Sequence, residues 1–475
     1  MTYPTRSGER DPFDNRARVG EGGPVEDGPG NVLSGGRGLR TRPDAVSWDA
    51  ARVLAHAAAR PGAAVSRPLD AVDGCVLGTP LVSPGAVPPV DRAAMDGYAV
   101  RGAGPWRVNG HVTAGAADPG TLADGHATGI VTGAAVPSGT TSVVRSEDAV
   151  VNGDRLEGPA EDGRHIRRAG EECQPGEQLL PAGVVVDPAV LGLAAAVGLN
   201  RLTVIPQPTV AALVTGDELV HRGPSGPGRV RDAIGPMLPG LITRAGAQLV
   251  THAGAQQVTR AGAQQVAGAG APEVAGAGAR LIAGGSVGQE LRAGAPPASV
   301  LHLPDSLDAL TRALGETEAD LILVSGSSAA GPADHLRPAL VSLGAEFVVD
   351  GVACRPGHPQ ALARLADGRL VLGLPGNPFA ALVAFLTLGV AAITRMRGVR
   401  LPELTHIAVP GGVPCHPTST RLVPVRLTAH GAVPIGHGGS AMLRGPAAAD
   451  ALAVVAPGPA EAIAARLLPL NPGIT

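Results

Sequence analysis

Apolar positions along the chain change their period several times, and each change predicts a different kind of structure. Met1 to about Pro43 mixes Gly, Arg and acidic residues with almost no apolar period, which predicts a disordered tail. A helical beat then runs from Ser47 to Arg60, with Ser47 as cap, Ala51, Val53, Leu54 and Ala58 on one face, and Pro61-Gly62 as terminator. Between Asp91 and Val151 short β-like runs follow one another, Gly97–Val100, Trp106–Val108 and Ser142–Val144, divided by Gly and Pro. A second helix is punctuated by Asp187 as cap, Pro188 at its first position, the apolar run Val190–Val197 and Gly198 as stop.

From Thr209 the pattern becomes short buried strands that each run into a Gly-containing loop. Val210–Val214 leads into Thr215-Gly216-Asp217-Glu218, Leu321–Val324 into Ser325-Gly326-Ser327-Ser328, and Leu370–Leu374 into Pro375-Gly376-Asn377-Pro378. Helical patterns at Leu307–Leu314, Leu336–Leu343 and Phe379–Ile393 complete βα units around a parallel sheet. Ligands in such sheets sit beyond the carboxyl ends of the strands, where these three loops converge. From about Leu401 short Val/Leu runs and turns predict a further small β domain. One stretch repeats in tandem: Arg244–Thr251 recurs as His252–Thr259 and Arg260–Ala267, then decays toward Ser299. Eight residues is off the helical beat but keeps strand faces in register, so the stretch reads as a duplicated strand and turn inserted at about 252–299.

Composition narrows the function. The 475 residues carry a net charge of −3, which argues against coating DNA or a membrane surface and favours small-molecule chemistry. All 38 basic residues are Arg, so Schiff-base catalysis and a P-loop lysine are excluded. Cys75, Cys173, Cys354 and Cys415 form no C-x-x-C pair, and a reducing cytoplasm fits them best. The apolar run Phe379–Ile393 is shorter than the roughly 20 residues of a membrane helix. The expectation is a cytoplasmic protein without membrane or nucleic-acid partners.

The motifs are more specific. Ala94-Met95-Asp96-Gly97-Tyr98-Ala99-Val100, preceded by Pro88-Pro89, resembles the signature of the molybdopterin molybdenumtransferase family, the MoeA and gephyrin E-domain proteins. Thr132-Gly133-Ala134 with Pro137 and Gly139 resembles a second motif of that family, and Gly170-Glu171 with Gly176 and Leu179-Leu180 a third. Thr215-Gly216-Asp217-Glu218-Leu219 and Leu374-Pro375-Gly376-Asn377-Pro378 follow in the family's order. Only the tail and the repeat are left unmatched. The resemblance implies an enzyme that inserts molybdate into adenylylated molybdopterin, releases AMP and uses Mg²⁺. It also implies a homodimer of elongated four-domain chains, served by molybdopterin adenylyltransferase upstream. The fold class is then multidomain α/β plus β, with a three-layer α/β molybdopterin-binding domain and small β domains. Its boundaries are a tail 1–43, domain I at 44–90 and 170–206, domain II at 91–169, domain III at 207–398 and domain IV at 399–475.

What the resemblance implies for individual residues follows the same motifs. Glu218, Asp96 and Asp232 match family active-site carboxylates, with Glu218 and Asp232 as Mg²⁺ ligands. Asp232 stays open between ligand and turn residue, because Ala233 and Ile234 follow it where the family has Ser or Thr and Asn; for Asp217 a turn or cap role outweighs a ligand role. Thr132 and the loop Ser325, Gly326, Ser327 and Ser328 are phosphate and pterin candidates, the loop through its backbone amides. Pro375, Asn377 and Pro378 form a rigid turn toward the pterin. Arg355, His358, Arg426 and Ser440 are candidates for molybdate, a dianion that asks for guanidinium forks and hydroxyl donors. Further departures bear on activity: Pro332 stands where the family has an active-site Asp, Arg355 and His358 where it has Lys, and, more mildly, Glu172 where Asp is usual. Proline offers no oxygen ligand, and histidine carries charge only when protonated. A second reading is therefore a catalytically weak paralogue that carries pterin or cofactor; a third is a nucleotide pyrophosphatase with the same type of α/β domain.

Overall fold

The computed structural model describes residues 45–115, 119–250, 300–326 and 334–471. The tail 1–43, the repeat copies from His252 to Ser299, and Ser327, Ser328 and Pro332 lie outside the described residues.

The α/β domain is built on a mixed sheet. Its order is Gln248–Leu249, Thr209–Thr215, Leu321–Ser325, Leu370–Leu374, Ala361–Arg364 and Glu346–Asp350, and Leu301–Leu303 also pairs with Thr209–Thr215. The first strands are parallel and the last two antiparallel. Because strand side chains alternate, Val210, Ala212 and Val214 enter one core while Leu213 enters another. Helices Leu307–Glu316 and Leu336–Ser342 cover the second face. The first face is covered by the long helical stretch Pro378–Met396, which includes one π turn at Phe385–Gly389. At 19 residues that stretch is apolar and long enough to cross a membrane, more than its sequence run predicted, but 83% of its most apolar window is buried inside the protein.

The helix Trp48–Ala58, which begins the segment read as domain I, packs its buried face in the α/β core. Ser47 caps it as predicted, accepting from Ala50 N at 3.2 Å. Trp48, Ala51, Ala55 and Ala58 are buried in the same cluster as Phe385 and Ile393. Trp48 Nε1 donates to Thr387 Oγ1 at 3.0 Å, and both terminal guanidinium nitrogens of Arg466 donate to the Asp49 carboxylate at 2.6 and 2.9 Å. Burying a tryptophan contributes about 3–5 kcal/mol on a truncation scale, against about 0–1 kcal/mol for a part-exposed ion pair. Apolar burial therefore decides where this helix lies.

Residues 65–87 and 173–205 form a separate small core around Val72, Leu77, Leu81, Val190 and Val204. Helix Pro188–Ala196 has the predicted cap, Asp187 Oδ1 accepting from Val190 N at 2.8 Å. Between these segments a six-stranded sheet contains Gly97–Val100, Trp106–Val112, His126–Ile130 and Ser142–Arg145.

The C-terminal sheet takes in two strands from elsewhere in the sequence. Its order is Val46–Ser47, Val352–Arg355, Thr420–Thr428, Ala451–Val455, Glu461–Pro469 and His406–Pro414. Val352–Arg355 lies within the α/β segment of the sequence but pairs in parallel with Thr420 and Arg421.

The repeat enters at a defined place. Thr209 and Val210 pair with Gln248 and Leu249, Val250 N donates to Val210 O at 2.9 Å, and Leu213 pairs with Leu301. If Val250 were joined directly to Val300, Val300 would face Ala212 and one unbroken edge strand would result. Deletion of residues 251–299 should therefore leave the fold intact, since loop closure costs change only with the logarithm of length. Circular dichroism and a melting temperature within about 5 °C of the full chain are the expected readings; loss of cooperative unfolding would show that the insertion holds the sheet together.

Candidate active site

A cleft of about 1090 Å³ opens between the α/β domain and the C-terminal sheet. Arg355, His358, Pro375, Asn377 and Ser440, all read from the sequence, line it together. Parallel pairing sets Arg355 directly beside Arg421, which also lines the cleft. His416 is a further lining residue, and no Asp or Glu is among them. Neither Arg355 nor Arg421 forms an ion pair with a carboxylate among the described residues. The cleft is thus a concentration of uncompensated positive charge and hydrogen-bond donors.

The loop that carries Arg355 and His358 is tied to itself. Val352 N donates to His358 O at 3.0 Å, and His358 Nδ1 meets Val352 O at 2.9 Å. A carbonyl only accepts, so Nδ1 carries the proton and Nε2 is the nitrogen left for a ligand. Buried Gln360 donates from Nε2 to Gly357 O at 2.8 Å and holds the turn from beneath. Cys354 also lines the cleft, but burial pushes its thiol up to about 12. It is therefore no nucleophile at neutral pH.

On the opposite wall Ser440 has a second task. Its carbonyl accepts from Phe379 N at 3.0 Å and Ala380 N at 3.1 Å, capping the helix that starts at Pro378. Asn377 makes no side-chain capping bond, which leaves its amide for the cleft it lines. Arg426 does not line the cleft; it is exposed and donates to Ala448 O at 3.3 Å. Arg421, at the other end of the same strand, was missed by sequence reading, because only its register against Arg355 distinguishes it.

The loops at the strand ends are closely packed. Gly326 has φ +102°, and a Cβ there would lie 2.1 Å from Thr215 O, so only glycine fits. Ser325 is buried in the strand beside it. Asp217 and Asp305 exchange bonds, each amide donating to the other carboxylate at 3.3 and 3.2 Å, which gives Asp217 the turn role expected of it. Asp334, beside the position of Pro332, caps Leu336 N at 3.2 Å and faces Arg337, so it serves the helix there. Glu218 is exposed, and its carboxylate has no hydrogen bond or ion pair among the described residues. Asp96 accepts from Thr132 N at 2.6 Å and Thr132 Oγ1 at 2.8 Å; these bonds hold its carboxyl below its usual range. Neither Asp96 nor Thr132 lines the cleft.

Asp232 is nearly buried, at 6% exposure. Its Oδ1 accepts from Ile234 N at 3.0 Å and Gly235 N at 2.9 Å, and its Oδ2 from His302 Nε2 at 3.0 Å. Burial alone would raise this carboxyl, but the amides of Gly235 and Ile234 and the imidazole outweigh it and hold it low. His221 Nδ1 lies 3.7 Å from the same Oδ2, and burial and the neighbouring His302 push its imidazole down. The Mg²⁺ expected on Glu218 and Asp232 does not fit this arrangement. Mg²⁺ asks for octahedral oxygen, whereas one Asp232 oxygen is taken by two amides and the other faces two imidazoles.

The chain can now be set against known proteins. Its residues 46–198 match the model of the MoeA N-terminal region (domain I and II), residues 286–395 that of a probable molybdopterin binding domain, and residues 409–464 that of the MoeA C-terminal region (domain IV). Molybdopterin molybdenumtransferase 2 of Mycobacterium tuberculosis is 36% identical over 341 residues, covering 68% of this chain and 72% of that protein. The chain belongs to the MoeA family of molybdopterin molybdenumtransferases. The molybdopterin molybdenumtransferase of Synechococcus elongatus is 30% identical over 348 residues, covering 69% of this chain and 74% of that protein. Two solved structures of the Pyrococcus horikoshii molybdopterin biosynthesis MoeA protein share the fold, with TM-score 0.64 at 24% and 20% identity. Each comparison covers 90% of this chain and 99% of the other. The family's multidomain α/β plus β architecture, expected from the sequence, is the one observed.

Two outcomes follow. Cys75, Cys173 and Cys354 are buried and Cys415 is part-exposed, so iodoacetamide at pH 7.5 should label Cys415 alone in the native protein; rapid labelling of Cys354 would contradict its high proton affinity. The charge of Asp232, held below the ordinary carboxylate range, contributes stability above that range and loses it as pH falls through about 4 and below. Asp232→Asn should flatten this part of the dependence of melting temperature on pH, and an unchanged acid limb would contradict it.

Proposed function

We propose that this enzyme of molybdenum cofactor biosynthesis binds molybdate in the cleft between the α/β domain and the C-terminal sheet. There it would insert molybdenum into adenylylated molybdopterin and release AMP. The observation that carries the reading is the in-register pair Arg355 and Arg421, in a cleft that His358 and His416 also line and whose described lining includes no Asp or Glu. Two arginines paired in register match a tetrahedral dianion in charge; Arg421 spends one guanidinium nitrogen on Pro414 O and keeps its remaining N–H groups as donors beside those of Arg355. Ser440 and Asn377 add neutral hydrogen-bonding groups on the facing wall. The self-tied loop from Val352 to His358 holds its donors in place before the ligand arrives, so little ordering entropy is lost on binding.

Charge in the cleft also bears on turnover. Cleavage of the phosphoanhydride places negative charge on the departing phosphates, and fixed cations stabilise it. His358 stands where lysine is usual and supplies that charge only when Nε2 is protonated. In this proposal the chain works as a cytoplasmic homodimer on the product of a molybdopterin adenylyltransferase. The exposed Asp96, oriented by Thr132, would enter the cleft of the second subunit.

AMP release from adenylylated molybdopterin, measured with and without molybdate, tests the reading. Arg355→Ala and Arg421→Ala should each weaken the molybdate dependence about 10–150-fold, the loss of one charge-assisted donor set. His358→Lys should strengthen it. AMP release that ignores molybdate would make the protein a pyrophosphatase, and tight pterin binding without release would make it a carrier.

A further inference from the structure

None of the Asp232 cluster is among the residues that line the cleft, and the molybdate proposal makes no use of its two histidines. We propose that His221, Asp232 and His302 form a binding site for a divalent first-row transition ion of the zinc type. Their ligand atoms all lie within 4.8 Å of one another. Two imidazole nitrogens and a carboxylate oxygen are a donor set that suits zinc, cobalt or nickel and not magnesium.

The topology explains why three distant residues meet. Leu219–Val220 and Val230–Arg231 pair in parallel, so His221 and Asp232, the next residue of each, emerge side by side. Asp232 N donates to Val220 O at 3.0 Å and continues that pairing. His302 comes from the edge strand Leu301–Leu303, where it pairs with Val214, at the end of the strand that leads into the Gly216 loop. Backbone pairing thus places every ligand.

Asp232 is also oriented as an outer layer of bonds orients a metal ligand. Two amides hold Oδ1, so Oδ2 is fixed toward the imidazoles. A Cβ on Gly235 would lie 2.4 Å from Oδ2 and 3.4 Å from His302 Nε2, so this glycine makes room for the cluster. His221 Nδ1, at 3.7 Å from Oδ2, is outside hydrogen-bond reach and forms no hydrogen bond among the described residues. Zinc bonds of about 2.0–2.2 Å in a tetrahedron separate ligand atoms by roughly 3.3–3.5 Å. The His302–Asp232 and His221–Asp232 separations, 3.0 and 3.7 Å, bracket that span. Side chains of His221 and His302 are 46% and 36% exposed, which leaves ion entry and a fourth position open to water or an oxyanion.

The test uses the full chain, stripped with a chelator and titrated with Zn²⁺ by calorimetry and with Co²⁺ by visible absorption. One tight ion per chain is expected, with Co²⁺ bands of tetrahedral strength and no displacement by millimolar Mg²⁺. His302→Ala and His221→Ala should each weaken binding by about 100-fold or more, and Gly235→Ala, which removes no ligand, by about 10–100-fold. His302→Gln, which keeps a donor toward Asp232, covers the case in which His302→Ala does not fold; it should lose the ion while melting like the native chain. Binding unchanged in both histidine variants, or no saturable binding at all, would overturn the proposal. Because the readout is ion binding, it stands or falls separately from AMP release.

Discussion

The parallel pairing of Val352–Arg355 with the strand that begins at Thr420 is the contact on which the functional geometry depends. It makes a segment of the α/β chain part of the C-terminal sheet, and so fixes the angle at which the two domains enclose a cleft. The same pairing sets Arg355 beside Arg421, two like charges that would repel if both were left without an anion. A second contact locks the arrangement from the other wall, where Ser440 O caps the helix that begins at Pro378. Because the Phe379 and Ala380 amides donate to the serine carbonyl, the helix end is not free for phosphate. The donors that the cleft presents are therefore side-chain cations, amides and hydroxyls.

Much of this architecture was legible in the sequence because it is local. Asp187-Pro188 and Ser47 announced their helices, and the strands before Gly216, Gly326 and Pro375 were visible as apolar runs into glycine loops. The motif order pointed to the family before any geometry was known. What stayed hidden was set by distant partners. Helix Trp48–Ala58 reads as a free amphipathic helix, and only the burial of Trp48, Ala51, Ala55 and Ala58 against a distant helix assigns it to the α/β core. Arg421 was invisible because nothing in its own neighbourhood separates it from Arg426; the choice is made by register across a gap of more than sixty residues. His221 and His302 look like isolated surface histidines until three strands bring them to Asp232.

The structure also redraws the two groups that the motifs outlined, Glu218 and Asp232 for Mg²⁺ and Arg355, His358, Arg426 and Ser440 for molybdate. In the fold the cationic cleft contains His358 and excludes Arg426, while Asp232 is enclosed by amides and imidazoles elsewhere at the strand ends. The described lining of the cleft carries arginines and no carboxylate, suited to an oxyanion; the Asp232 cluster sets two imidazoles beside one carboxylate, suited to a cation. The insertion beyond Val250 enters just ahead of His302, on the same edge strand.

The central claim is that Arg355 and Arg421 together hold molybdate, and the position of the molybdenum atom tests it most directly. In crystals of the full chain soaked with molybdate, anomalous scattering at the molybdenum edge should show one principal peak within about 4 Å of both guanidinium groups, the reach of charge-assisted hydrogen bonds to the oxygens. That peak should vanish in Arg421→Ala crystals. A principal peak elsewhere, with the space between the two arginines empty, would contradict the account.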